Sequence, residues 1–310
     1  MQTGTQNEMV FEALPALGPL YVKAAARRRA VPTPQTELKA LSARVDRVRI
    51  DHDELARYRA LCGIADHGVV PLPYLQVLAT PLHAAIIAHA DFGLPALGLV
   101  HLENSLHQHR AVKVDEVLRL SARVDEGQWD ERLGYVVSLV SEAYVGDELV
   151  WESRLRALSP VRSKRSKQTS SSRRAPEVGE RQGARVSVMV RAPEDLGRRY
   201  AAVSGDFNPI HLHAWTARPF GFDRAIAHGM WTLSRAWGEV QELIDVQAPV
   251  ALSVRFRKPV KLPARLWIAA WPADDEAGGF EICCQSPDGR LTHLEGAVQV
   301  GRGVSQVEHA

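Results

Sequence analysis

The sequence predicts an α+β fold made of two copies of one unit: a strand, a short helix, a long helix and a group of further strands. Three observations predict it. The order of elements after Gln182 repeats the order before Pro160. Residues line up as well, Tyr58-Arg-Ala-Leu-Cys-Gly63 over Tyr200-Ala-Ala-Val-Ser-Gly205 and Lys113-Val-Asp-Glu-Val-Leu118 over Lys261-Leu-Pro-Ala-Arg-Leu266. Between the copies, Arg162–Arg174 is basic, serine-rich and without apolar side chains, so it forms no core and reads as a linker.

Bulk properties suit this division. At 310 residues the chain has room for two medium domains, and 45% apolar with 24% charged residues is ordinary for a globular protein. A net charge of +2 gives no global sign of a nucleic-acid partner, and no aromatic residue interleaves the basic linker. Three cysteines, two of them adjacent, are too few for a disulfide framework and point to reduced thiols in the cytoplasm. No leader-like pattern opens the chain. The apolar stretch Leu72–Val100 has the length of a membrane span, but Pro81, His83, His89, Asp91 and Pro95 interrupt it, so it is expected to be a core helix.

In order, residues 1–40 read as an arm in which Val10–Leu17 could pack on a body and Arg27–Arg29 lie in water. The first unit is expected over 41–160. A strand at Val45–Ile50 leads to a helix capped by Asp51 or Asp53 and ended by Gly63. A long apolar helix follows over Pro73–Ala90, then strands at Leu99–Leu106, Glu116–Val124, Gly134–Val145 and Leu149–Ala157. The linker spans 161–182. The second unit, 183–302, repeats the pattern: a strand at Arg185–Val190, a helix from Pro193 to Ser204, a long helix at Gly229–Val246, and strands at Val250–Arg257, Ala264–Trp271, Phe280–Gln285 and Leu291–Val300. Residues 303–310 form a tail. In the last set Leu252, Val254 and Phe256 alternate with Ser253, Arg255 and Arg257, the period of a half-buried strand.

The chemistry gathers in Tyr200–Gly229, where Asp206, Asn208 and His211 follow the helix that ends at Gly205. Pro209 disfavours the helical conformation at Asn208, so carboxylate and imidazole can converge from a tight loop. Such a pair can hold a water, one group taking its proton and the other returning a proton to substrate. Asn208 does not titrate but can orient Asp206 or the water. Gly229 opens the long helix, where its N–H is an unpaired donor suited to an oxygen gaining negative charge. Two other readings stand beside acid/base catalysis. Asp206 and Asn208-Pro209 could simply build a turn, and Asp206, His211, His213 and His228 could bind a metal. In the ungapped register that pairs Tyr58 with Tyr200, Ile64 falls at Asp206 and Val69 at His211, so the first copy lacks the reactive groups and is expected to supply shape.

The run Tyr200-x-x-Val203-Ser204-Gly205-Asp206-x-Asn208-Pro209-Ile210-His211, with Ala227-His228-Gly229-Met230, resembles the signature of the MaoC-like, (R)-specific enoyl-CoA hydratases. The similarity is strong over Pro193–Val300 and weaker over Val45–Ala157. It implies a double hot-dog, each copy a long helix wrapped by an antiparallel sheet, with a first half that has lost its catalytic residues and helps house the acyl chain. It also implies that Asp206 and His211 activate water, that Asn208 helps place them, and that Gly229 N–H polarises a thioester carbonyl. The implied reaction is reversible hydration of a trans-2-enoyl thioester to the (R)-3-hydroxyacyl thioester, within fatty-acid metabolism and with no metal or organic cofactor. One departure is noted. Relatives often carry a small polar residue along the central helix, whereas Trp231 and Trp237 are bulky here and Ser234 is the available hydroxyl.

Ser204, His228, Ser234, Arg255, Arg257 and Lys258 are further candidates for substrate contact, the three cations through phosphates of CoA or of a carrier protein's pantetheine arm. The expected partner is therefore an acyl-CoA or acyl-carrier-protein thioester, with a homodimer possible and neither nucleic acid nor a membrane span expected. A hot-dog acyl-thioesterase and a non-catalytic acyl-thioester-binding subunit are the alternatives.

Overall fold

A computed structural model describes residues 7–27, 31–96, 98–161, 183–273 and 278–301. Residues 162–182 of the stretch read as a basic linker lie outside the described residues. In chain order the elements are β1 (Glu8–Phe11), α1 (Leu17–Ala26), β2 (Ser42–Val48), α2 (His52–Cys62), α3 (Leu72–Ile87), β3 (Val100–Gln108), β4 (Leu118–Asp130), β5 (Gly134–Val145) and β6 (Glu148–Pro160). There follow β7 (Val186–Ala192), α4 (Leu196–Ser204), α5 (Pro209–Leu212), α6 (Ala214–Ala217), α7 (Gly229–Val240), β8 (Val250–Phe256), β9 (Ala264–Pro272), β10 (Phe280–Gln285) and β11 (Thr292–Val300).

All these strands form one sheet in the order β1-β2-β4-β5-β6-β3-β8-β11-β10-β9-β7. From β2 to β3 and from β7 to β8 the order is the same, read from the two edges inward. The halves meet where β3 runs antiparallel to β8, with Ser105 opposite Ser253 and their hydroxyls 3.2 Å apart. A pseudo-twofold axis therefore passes through the middle of the sheet, and α3 and α7 pack side by side beneath it. This is the double hot-dog architecture.

Local chemistry explains the element ends. The Asp51 carboxylate accepts from the N–H groups of Asp53 and Glu54, so Asp51 caps α2 and Asp53 lies inside its first turn. Gly63 and Gly205 close α2 and α4 with φ of 64° and 70°, left-handed values that favour glycine. Leu75, Leu82 and Ile86 of α3 are fully buried, each contributing roughly 1.5–3 kcal/mol. No helix among the described residues is long and apolar enough to cross a membrane.

The arm packs on the body: β1 pairs in parallel with β2, and α1 docks through the buried Leu17 and Ala24. Two sequence readings need correction. The second long helix ends at Val240 and continues as a 3-10 turn, Gln241–Leu243. The ungapped overlay of the two copies fails after Gly63. Val69 bridges to Lys113 as Ile226 bridges to Lys261, so Val69 is the counterpart of Ile226, not of His211. The segment from Gly63 to Leu72 is much shorter than that from Gly205 to Gly229. The first unit thus lacks the whole loop that holds Asp206 and His211. Arg59 fills the gap, its guanidinium donating to Val69 C=O at 2.6 Å and pairing with Asp66 at 2.7 Å.

Candidate active site

The site lies where the loop after α4 folds back on the start of α7. Gly205 turns the chain, the Asp206 N–H donates to the Ser204 hydroxyl at 3.2 Å, and that hydroxyl donates to Tyr200 C=O at 2.8 Å. Asn208 caps α5, its side-chain oxygen accepting from the Ile210 N–H at 3.4 Å. The Asn208 backbone N–H, rather than its side chain, reaches Asp206, at 3.1 Å from Oδ1. Gly197 lets α5 approach α4, since a Cβ there would lie 1.7 Å from the His211 carbonyl oxygen.

His211 is buried and its Nδ1 lies 2.8 Å from Ile226 C=O. A carbonyl only accepts, so Nδ1 carries the proton and Nε2 keeps its lone pair. His228 directly precedes α7 and by the same logic donates from Nε2 to Asp206 C=O at 2.9 Å. The two imidazoles stack with centroids 3.7 Å apart. One polar atom from each of Asp206, His211 and His228 lies within 4.8 Å of the others.

Burial, then the neighbouring His228, push the His211 pKa down to about 3, so the ring is neutral at physiological pH. Burial lowers that of His228 too. Burial opposes the charge on Asp206, yet the imidazoles of His228 and His211, the Tyr21 hydroxyl and the Asn208 N–H together hold its carboxyl below the usual value. The result is a carboxylate next to a neutral imidazole with a free lone pair. Gly229 is the first residue of α7, and a Cβ there would sit 3.1 Å from the Phe256 ring, so the helix start packs on Phe256 with no side chain between.

The MaoC like domain family matches residues 173–290. The chain is also 30% identical over 255 residues to 3-hydroxyacyl-thioester dehydratase X of Mycobacterium tuberculosis (strain ATCC 25618 / H37Rv), across 82% of this chain and 88% of that one. The chain belongs to the MaoC-like dehydratases. Among MaoC-like and hot-dog structures, a crystal structure of HtdX from M. tuberculosis matches with a TM-score of 0.69 at 28% identity, covering 84% of this chain and 99% of that one. A conserved M. tuberculosis protein with a double hot-dog fold matches with a TM-score of 0.53 at 12% identity over 87% of this chain and 98% of that one, a likeness of fold alone.

Within this MaoC-like frame the structure brings Asp206, Asn208, His211, His228 and Gly229 together and puts other candidates elsewhere. The Ser204 hydroxyl is spent on the turn before Asp206. Ser234 is fully buried in the core, 2.6 Å from the Tyr58 hydroxyl and donating to Met230 C=O, because α7 turns that face toward α2. Arg255 pairs with Glu103 at 3.0 Å and Arg257 with Glu295, both across neighbouring strands, while Lys258 is exposed just past β8. His213 leaves the suggested metal set, since its ring stacks on Trp215 and meets Arg198 at 3.2 Å.

Two residues at the site carry no sequence signal. The Tyr21 hydroxyl donates to Asp206 Oδ1 at 2.5 Å, brought there by α1, whose Leu17 packs on Gly205. Burial, then the Asp206 charge, raise the Tyr21 pKa, so it stays a donor. His101 lies against Phe256 with centroids 4.6 Å apart, close enough to feel the Asp206 charge. No motif surrounds either residue, and only folding brings them near.

Proposed function

We propose that this chain is a hydro-lyase that interconverts trans-2-enoyl and (R)-3-hydroxyacyl thioesters. The observation that carries the reading is the meeting of the Asp206 carboxylate with a His211 imidazole whose Nε2 lone pair is free, beside the N-terminus of α7. In the hydration direction Asp206 accepts one O–H of water and fixes its orientation. His211 Nε2 takes the other proton as the oxygen attacks C3. The electron pair of the double bond moves toward the thioester carbonyl, and the Gly229 N–H donates to the oxygen as it becomes an enolate. The imidazolium, held by the adjacent carboxylate, returns its proton to C2. Dehydration is the reverse. The net change is addition or loss of water, and no step calls on a cofactor.

Tyr21 and the Asn208 N–H position the Asp206 carboxylate. The acyl carrier is CoA or a carrier protein, and the enzyme works in the cytoplasm. Hydration of crotonyl-CoA, followed by loss of conjugated-thioester absorbance, tests the reading. Asp206→Asn and His211→Ala are each expected to cut kcat/KM by about a hundredfold or more. A folded wild type inactive on enoyl thioesters of every length overturns the assignment, and release of free thiol instead makes the protein a thioesterase.

A further inference from the structure

Close to the proposed reaction centre, the inner face of the first unit is unusually polar. β3 shifts register between His101 and Glu103, which turns His101 to the same side as Asn104 and Leu106. Asn104 is fully buried, and its amide nitrogen lies 3.4 Å from Met230 Sδ, one residue past Gly229. Gln76 and His83 sit two turns apart on one face of α3, 1% and 5% exposed, and are joined at 3.5 Å. His83 Nε2 then meets the buried Ser141 hydroxyl at 2.6 Å, and Ser153 stands opposite Ser141 on β6.

This cluster is incompletely satisfied. Gln76 Oε1, Asn104 Oδ1, His101 Nε2 and Ser153 Oγ are all buried without a hydrogen-bond partner. An orphaned buried polar atom costs about 1–3 kcal/mol, so several in one place call for a partner. The bonds already made fix what that partner offers. If Gln76 donates through its nitrogen to His83 Nδ1, His83 Nε2–H donates to Ser141, and the Gln76 and Asn104 oxygens are both left as acceptors. Burial, and then mutual repulsion with His101, bring the His83 pKa down to about 4, so the cluster is neutral and offers no cation for a carboxylate. A neutral donor would complete the set, and the neutral donor that an acyl chain can carry is an O–H.

We propose that the first unit's inner face is a subsite for a hydroxyl on the acyl chain beyond C3, so that the preferred substrates are hydroxylated acyl thioesters rather than simple alkyl ones. This rests on the hydro-lyase reading and names its substrate class. The test is a panel of trans-2-enoyl-CoA thioesters of equal length, one unsubstituted and the others carrying a hydroxyl at successive carbons beyond C3. Wild type is expected to favour at least one hydroxylated isomer about tenfold or more in kcat/KM over the unsubstituted parent. Gln76→Leu and Asn104→Leu are each expected to shrink that ratio at least about fivefold while turnover of the parent persists. Should a leucine variant fail to fold, Gln76→Met, closer to isosteric, serves in its place and the wild-type ratio still decides. An unsubstituted parent turned over as well as every isomer overturns the subsite and leaves the hydro-lyase reading intact. Inactivity on the whole panel strikes that reading instead.

Discussion

Tyr21 reaches Asp206 from 185 positions away, and its hydroxyl favours the ionised form of the carboxyl it bonds. Removing that donor raises the Asp206 pKa, so the carboxylate protonates sooner as pH falls. Tyr21→Phe is therefore expected to move the acid limb of the kcat/KM profile to higher pH by about one unit, the scale of one hydrogen bond to a charge. An unmoved limb with a lower melting temperature would reduce Tyr21 to packing. His228 acts on Asp206 from the other side through the backbone, donating to its C=O rather than to its carboxylate, whose Oδ2 stands 3.8 Å away. Asp206, Asn208, His211 and Gly229 were legible in the sequence because they lie within one short run. Tyr21 and His101 were not, since long-range packing alone brings them there.

At the scale of elements, the loop between α4 and α7 works because two helices touch almost backbone to backbone. Gly197 of α4 faces the His211 carbonyl oxygen, and a methyl group in that space must push α5 away. Gly197→Ala is expected to cost about 1–3 kcal/mol of stability, the usual scale of overpacking, and to lower kcat by shifting His211. Thermal melts followed by circular dichroism, with assays well below the melting temperature, check both parts; a variant that matches wild type in melting and rate refutes the constraint. The first unit shows the same framework without the loop. Arg59 bonds Val69 C=O as His211 bonds Ile226 C=O, which keeps the start of the long helix pinned while giving up the chemistry. The element order of both units was readable from apolar periodicity and turn residues. The missing loop was not, because an ungapped overlay of residues conceals a deletion that backbone pairing exposes.

For the whole molecule, the two units share one sheet through β3 and β8 and one layer of helices through α3 and α7. Neither can lose its structure without uncovering the other's core, so calorimetry is expected to give one unfolding transition. Two resolved transitions would mean that the halves fold independently. Acid should weaken the fold in a defined direction. His83 and His101 have folded pKa values brought down by burial to about 4, below the ordinary 6.5 of the unfolded chain. Unfolding below pH 6.5 therefore takes up protons, and stability present above that pH is lost progressively toward pH 4. A melting temperature constant over that range contradicts the burial of both rings.

The sequence by itself determined the repeated α+β unit, the reactive run from Asp206 to His211 and its entry into a long helix at Gly229. Those features are local: periodicity, caps, turns and close spacing write them into neighbouring residues. Only the tertiary structure decided that Tyr21 completes the carboxylate's surroundings, that Arg59 replaces a lost loop, and that Gln76, His83, His101 and Asn104 form a polar wall beside the site. Each of these depends on which faces meet across the shared sheet and helices, and contact between distant faces leaves no mark in the spacing of a single chain.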